Sequence, residues 1–326
     1  MADPGQLICF ACGKPVRYAW SSKDRLIPEK RHPWYRCSRC GMMILGQSPG
    51  VSSDSLREWA YSDDQEDRFL SRLHTGIQRH LLVPDIRFIV QMLPRTKNCK
   101  LLEIGCGAGF IARTVIKYRP DVVLLGVEPR QSAARCAVRE GFNMIGRTIE
   151  DIDIRPGSID AVVVLHVLEH LPDPVSALTA IHALLKPEGM LIGGVPSADS
   201  LETLFFRSGS YLLASPYHKW IPTHASLQAL LHRCGFHPIR MNDCSFRTSL
   251  VGFPSSAVPA LEPARMRMRD EKGFLKYSKT VLFGLLFLAM APFTVVSNLL
   301  KHGSAINFVA QMKTRGRQAE LGEKDV

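Results

Sequence analysis

From Lys100 onward the chain alternates short apolar runs with stretches of helical period. "KLLEIG" (100–105), "DVVLLGVEP" (121–129), "NMIG" (143–146), "IDAVVVLHVLEH" (159–170) and "MLIGGVP" (190–196) are short, aliphatic and bounded by turn formers. Each predicts a buried strand. Between them "FIARTVIKYR" and "PVSALTAIHALLKPEG" space their apolar residues three and four apart, which predicts helices. Strands alternating with helices predict an α/β, doubly wound, mostly parallel sheet. Ligands in such sheets sit beyond the carboxyl ends of the strands, near the point where strand order reverses. "GFHPIRMNDC" and "SAINFVAQMK" (304–313) supply two later strands.

The flanks follow other patterns. Residues 46–99 carry apolar positions at helical spacing, broken at Pro84, and predict a helical connector or lid; the acidic run "SDDQED" belongs to its solvated face or a cap. Near the other end, the 21 residues from Thr280 to Leu300 contain no charge. As a helix they measure about 30 Å, enough to cross a bilayer. Pro292 interrupts them, and Thr294, Ser297, Asn298 and Lys301 gather on one side of the second half.

Residues 1–45 are too polar to form a core of their own, but they hold two cysteine pairs, Cys9–Cys12 and Cys37–Cys40, each followed by glycine. Two C-x-x-C-G turns predict a closed four-thiolate zinc site, a zinc ribbon held together by its metal. His32 is expected at the surface. Nine cysteines and an opening "MADPGQLICF", with neither a basic nor an apolar leader, predict a reducing cytoplasm. The net charge of +11 favours anionic partners without choosing between nucleic acid, acidic headgroups and phosphorylated substrates.

The turn after the first strand decides the cofactor. A dinucleotide turn reads G-x-G-x-x-G, but position 110 is Phe110; the glycines are Gly105, Gly107 and Gly109, preceded by Glu103. This resembles the acid-x-Gly-x-Gly-x-Gly signature of class I S-adenosylmethionine (SAM)-dependent methyltransferases. Glycines let the backbone approach a ligand without a Cβ in the way. The resemblance spans residues 100–240 and several motifs in order, including "SIDAVVVLHVLEHLPDP" and "LLKPEGMLIGGVP". It implies a seven-stranded Rossmann-like sheet closed by an antiparallel strand at 304–313. It also implies SAM contacts from Glu103, Gly105, Cys106, Gly107 and Gly109. Glu128, with Pro129 beside it, would accept both ribose hydroxyls. Ile149 and Glu150, with Asp151 as a further candidate, would flank the adenine, and Leu165 and His166 would stand at the fourth strand. A zinc-binding module ahead of such a domain is similar to bacterial methyltransferases that act on sugars or other small acceptors.

Methyl transfer is an in-line displacement, and a hydroxyl acceptor also needs a base. Amino-group methylation of nucleobases commonly uses an Asn/Asp-Pro-Pro-aromatic motif where this chain has "LHVLEHLPDP", and the cysteine nucleophile that cytosine carbon methylation needs is not found near that strand. Glu169 and Asp173 do not make a carboxylate set for a metal-dependent reaction. Candidate bases are His170, beside Glu169 at the strand end, and His218 in the loop after the fifth strand; His166 is placed within the fourth strand. Tyr217 and Trp220 are candidates for pocket walls or for packing.

Residues 100–255 with 303–315 form the expected SAM-binding domain, 256–302 a basic and apolar insertion, and 316–326 a tail. A single crossing would part the last two strands, so the insertion is expected to dip into one leaflet as a hairpin kinked near Pro292. Its flank "ARMRMRDEKGFLKYSK", with six basic and two acidic residues, suits anionic headgroups. The expected protein is a peripheral or monotopic O-methyltransferase on the cytoplasmic face of a membrane, with a lipid-linked saccharide, polyprenyl or quinone-like acceptor. The alternatives are an RNA methyltransferase gripping phosphates with its basic ribbon and a non-catalytic scaffold.

Overall fold

Phe308, Val309 and Ala310, on a strand one place in from the edge of the main sheet, are fully buried and pair with residues 191–193, more than a hundred positions earlier in the chain. A computed structural model describes residues 7–46 (apart from 26 and 28), 87–243, 246–268 and 273–312. Most of the expected connector, residues 47–86, lies outside the described residues, as does the tail.

The main sheet contains seven strands: β4 (Lys100–Ile104), β5 (Val123–Val127), β6 (Asn143–Gly146), β7 (Ile159–Leu165), β8 (Leu185–Pro196), β10 (Phe236–Asn242) and β11 (Ala305–Met312). Their order is β10-β11-β8-β7-β4-β5-β6, with β11 antiparallel to both neighbours. The order reverses between β4 and β7, which places the ligand crevice at the carboxyl ends of these two strands. Helices α1 (Phe110–Tyr118), α2 (Gln131–Arg139), α3 (Pro174–Leu184) and α5 (His224–Arg233) cover the two faces. Alternation along the strands divides the core. Leu101, Ala161, Val163 and Val309 join Ile111, Val115 and Ala137 on one face; Leu102, Val162, Val164 and Phe308 join Leu178, Ile181, Leu227 and Leu230 on the other.

A second sheet has the order β1-β2-β3-β9: β1 (Val16–Lys23), β2 (Arg31–Cys37) and β3 (Met43–Leu45) come from the cysteine module, and β9 (Trp220–Ile221) from the loop between β8 and α5. The module therefore borrows a strand from the main domain. Its Trp34 and Met43 pack with Ala198, Leu213 and Ile221, and its Cys9, Val16 and Met42 belong to the same buried cluster as Trp220 and Leu227. A segment too polar for its own core is stabilised by sharing its neighbour's. His32, expected at the surface, is instead 1% exposed, its Nε2 2.7 Å from Asp24 Oδ2, because the β1–β2 hairpin folds this pair against the domain.

The insertion is a pair of arms. Helices α6 (Phe246–Ala257) and α7 (Pro263–Met268) lead out, and α8 (Gly273–Leu299) leads back along α6. Its 27 residues make a helix of about 40 Å. The expected hairpin does not reverse at Pro292: α8 is a single helix through that residue, and the second arm is α6. β10 and β11 pair in register on both sides of the insertion, Asn242 opposite Asn307, so the hairpin leaves and re-enters at one edge of the sheet. α8 is apolar outside and, in its second half, polar inside. Phe283 is buried in its first half and Thr294, Ser297 and Asn298 in its second, while Leu282, Leu285, Leu288, Phe293, Val296 and Leu299 are exposed.

Where the hairpin meets the domain, Glu202 is fully buried. It accepts hydrogen bonds from Ser210 and Ser256 at Oε1 and from Ser304 at Oε2. Burial pushes its carboxyl from 4.5 up to about 7, outweighing the serine bonds that favour the ionised form. Folding therefore strengthens proton binding. The resulting stabilisation is fully present below pH 4.5 and is lost as pH rises through 7. Relative to Glu202→Gln, the natural chain is expected to lose up to about 3 kcal/mol between pH 4.5 and 8. Urea unfolding of both proteins at the two pH values checks this; a pH-independent difference would contradict it.

Candidate active site

The loops after β4, β5, β6, β7 and β8 meet at the carboxyl edge of the sheet. After β4, the amides of Gly105 and Cys106 both donate to Val127 O, at 2.8 and 3.1 Å, folding the turn over the end of β5. Gly107 and Gly109 both adopt left-handed backbone, at φ 53° and 78°. The two glycines do different work. A Cβ at Gly109 would come within 2.9 Å of Ala137 Cα, so this glycine seats α1 against α2. At Gly107 the nearest atom to such a Cβ is 3.9 Å away, leaving a cradle open to a ligand.

Glu103 and Glu128 flank this cradle, each 5% exposed. Glu128 Oε2 accepts the Gly107 N–H at 2.9 Å, and its Oε1 accepts the backbone N–H and Nε–H of Arg130 at 3.1 and 3.0 Å. Glu103 Oε2 is buried and has no hydrogen-bond partner among the described residues. Burial and then the Glu128 charge push the Glu103 carboxyl well above its ordinary range. An unpaired buried carboxyl beside an open backbone cradle suits a ligand with a cationic amino group and hydroxyls. Ile149, buried, and Glu150, exposed, lie on the loop after β6, braced by Thr148 N–H to Asp151 Oδ2 at 3.1 Å. Pro129 follows β5, Leu165 ends β7, and Cys106 is buried against Met144.

The histidines come next. β7 stops at Leu165, so His166 is not a strand residue: with φ 54° it starts the turn into the short helix Leu168–His170. Its Nδ1 lies 3.3 Å from Oε1 of the fully buried Glu169. Burial opposes ionisation of Glu169, but the His166 bond and the surrounding imidazoles hold it below the ordinary carboxylate range. His218 arrives from the loop after β8. Its Nδ1 donates to Leu212 O at 2.6 Å, which leaves the lone pair on Nε2, and its ring centroid is 4.9 Å from that of His170. Although the ring edge is partly accessible, burial and then the His170 charge hold His218 well below the usual histidine range, so it is neutral at pH 7. Donor atoms of Glu169, His170 and His218 lie within 4.8 Å of one another, an arrangement able to relay a proton or to hold a cation. The sequence pointed to no such cation site, since Glu169 and Asp173 alone make no carboxylate set. Asp173 instead caps α3, accepting the Val175 and Ser176 N–H groups at 3.0 Å each. Trp220 is fully buried as part of β9, its indole N–H donating to Leu171 O at 3.1 Å, and is therefore packing. His224 opens α5 and binds Asp243.

In the amino-terminal module, Cys9 Sγ is 3.6 Å from Cys40 Sγ and Cys12 Sγ is 3.4 Å from Cys37 Sγ, with all four sulfurs inside 4.8 Å. Four thiolates at about 2.3 Å from a tetrahedral zinc ion stand about 3.8 Å apart. The donor set and its spacing fit that ion.

A SAM-type cradle on a seven-stranded sheet with one antiparallel strand defines a class I methyltransferase. Residues 73–240, more than half of the chain, match the family described as a methyltransferase domain, and the chain belongs to that family of SAM-dependent enzymes. It is 38% identical over 95 residues to a ubiquinone biosynthesis O-methyltransferase of Pectobacterium carotovorum subsp. carotovorum (strain PC1), covering 28% of this chain and 40% of that one. A ubiquinone biosynthesis O-methyltransferase of Colwellia psychrerythraea (strain 34H / ATCC BAA-681) is 31% identical over 122 residues, covering 36% and 46%. The matched stretches thus span less than half the length of these relatives. Among solved structures, Haemonchus contortus phosphoethanolamine N-methyltransferase 2 in complex with S-adenosyl-L-methionine shares the fold. It has a TM-score of 0.51 at 16% identity, over 84% of this chain and 63% of that one.

Proposed function

We propose that this methyltransferase transfers a methyl group to an oxygen of a quinone-like or other lipid-linked acceptor presented at a membrane surface. The observation that carries the oxygen assignment is geometric: His218 Nδ1 is bound to Leu212 O, which leaves Nε2 with its lone pair, and the ring lies 4.9 Å from that of His170 beside Glu169. Bound SAM supplies an electrophilic methyl group. Glu128 would hold its ribose hydroxyls, Glu103 would face its amino group, and Ile149 and Glu150 would flank its adenine. His218 Nε2 then takes the acceptor's hydroxyl proton, while the His166–Glu169 pair and His170 orient and stabilise the ring that receives it. The names of the partly matching relatives support a phenolic acceptor. His218→Ala is expected to lower kcat by about 10²- to 10⁴-fold with SAM affinity unchanged. Labelled SAM and a soluble catechol provide the assay; a loss under threefold would remove His218 from the proton's path.

Zinc is assigned to Cys9, Cys12, Cys37 and Cys40, where it would tie the two knuckles together and supply no step of the reaction. The membrane assignment rests on the inverted amphipathicity of α8, whose apolar outer face suits the boundary between headgroups and acyl chains, with Lys276, Lys279 and Lys301 placed for anionic headgroups. Placing glutamates at Leu285 and Leu288, 60% and 68% exposed, is expected to cut flotation with anionic vesicles by about tenfold or more. Unchanged flotation would withdraw the surface.

A further inference from the structure

The segment from Ala214 to Thr223, which carries His218, runs in a slot between the cysteine module and the turn after β7. Its regular structure is the two-residue β9, so its order must come from its walls. On the module side, Ser215 Oγ lies 2.6 Å from Ser22 Oγ and accepts the Trp34 indole N–H at 2.8 Å. All three residues are buried. The Ser215 carbonyl accepts the Arg25 N–H at 2.9 Å, and the Lys219 carbonyl accepts the Leu45 N–H at 2.8 Å. Ile221 and Trp220 pair with Met43 and Ile44. Thr223, the N-cap of α5, donates its hydroxyl to the carbonyl of Cys40, inside a metal knuckle, at 2.6 Å. On the other wall, the Lys219 N–H donates to Glu169 O at 2.7 Å.

We infer that the cysteine module is the positioning element of the acceptor half of the site. Trp34 and Ser22, acting through Ser215, and the β3–β9 pairing hold His218 against His170 and Glu169. Gly107, Glu103 and Glu128 of the SAM half belong to β4, β5 and the turns that follow them and take no part in these bonds; Ile149 meets the module only through the shared apolar core. The state of the module thus sets acceptor chemistry without touching cofactor binding. The inference rests on the proposed role of His218 for its catalytic consequence, but not for its structural one.

The test uses the full chain in three forms: natural, metal-stripped, and carrying Trp34→Phe with Ser22→Ala, which removes the latch and leaves the four cysteines in place. Hydrogen–deuterium exchange is followed in peptides covering 211–223 and 100–128, together with the affinity for S-adenosylhomocysteine. The expected result is at least tenfold faster exchange in 211–223 for both altered forms, with less than a twofold change in 100–128 and in affinity. Turnover of a soluble catechol by the latch variant falls at least tenfold at an unchanged KM for SAM. Unchanged protection of 211–223 overturns the inference. So does loss of protection in both regions, which would make the module a general stabiliser. If the natural chain does not turn over the catechol, the acceptor reading fails, and the exchange data still decide the inference.

Discussion

Glu128→Ala is expected to weaken SAM binding by about 100-fold. The carboxylate is buried at the end of β5 and already organises the cradle through the Gly107 N–H and Arg130. In the proposed complex it accepts both ribose hydroxyls. Two hydrogen bonds to a charged group, at about 1.5 kcal/mol each, give about 3 kcal/mol, or about two orders of magnitude in Kd. Alanine also strips the Gly107 amide and the Arg130 guanidinium of their acceptor, so the cradle loses shape as well as charge. Glu128→Gln retains one acceptor oxygen and should lie between the two. Calorimetric titration with SAM checks the series; a Kd within threefold of the natural chain would place the ribose elsewhere.

The second large effect is expected from Cys37→Ser. Cys37 is buried, ends β2 and faces Cys12 at 3.4 Å, so the change removes one of four converging thiols. Metal content measured by mass spectrometry should fall from one zinc per chain to a small fraction. Structural zinc contributes folding energy directly, and the module shares its core with the domain through Trp34, Met43, Leu213 and Ile221. Loss of several kcal/mol corresponds to a fall in Tm of roughly 10 °C in a chain of this size. Unchanged zinc content and Tm would contradict the metal assignment. Thr223 at the end of the acceptor loop is bonded directly to the carbonyl of Cys40, so a change in the knuckle reaches that loop through one hydrogen bond.

The parts of the molecule legible in the sequence are those whose signal is local. The seven main-sheet strands fall on or beside the expected runs, most plainly "IDAVVVL" and "SAINFVAQMK", whose strands are almost wholly buried, but β8 begins at Leu185, within the stretch "PVSALTAIHALLKPEG" that reads as a helix to Gly189. The glycine turn was legible because left-handed backbone at 105, 107 and 109 admits little else. What stayed hidden depends on distant partners. β9 is only Trp220 and Ile221, and nothing local marks it as the fourth strand of a sheet that begins two hundred residues earlier. His32 looks solvent-exposed until Asp24 is brought to it by the hairpin. His166 sits in an apolar run that extends the strand on paper, yet the backbone turns at that residue. The outward helix α8 was visible as an uncharged run, but its polar side became a packing face only once α6 lay beside it.

The central claim is methyl transfer from SAM to an oxygen of a membrane-presented acceptor. It is tested most directly by incubating the purified chain with methyl-labelled SAM and a lysate separated into lipid extract, RNA and small soluble molecules. The account predicts label in the lipid extract, released as an aryl or alkyl methyl ether, and lost with His218→Ala. Label confined to RNA, or label in lipid that survives that substitution, would contradict it.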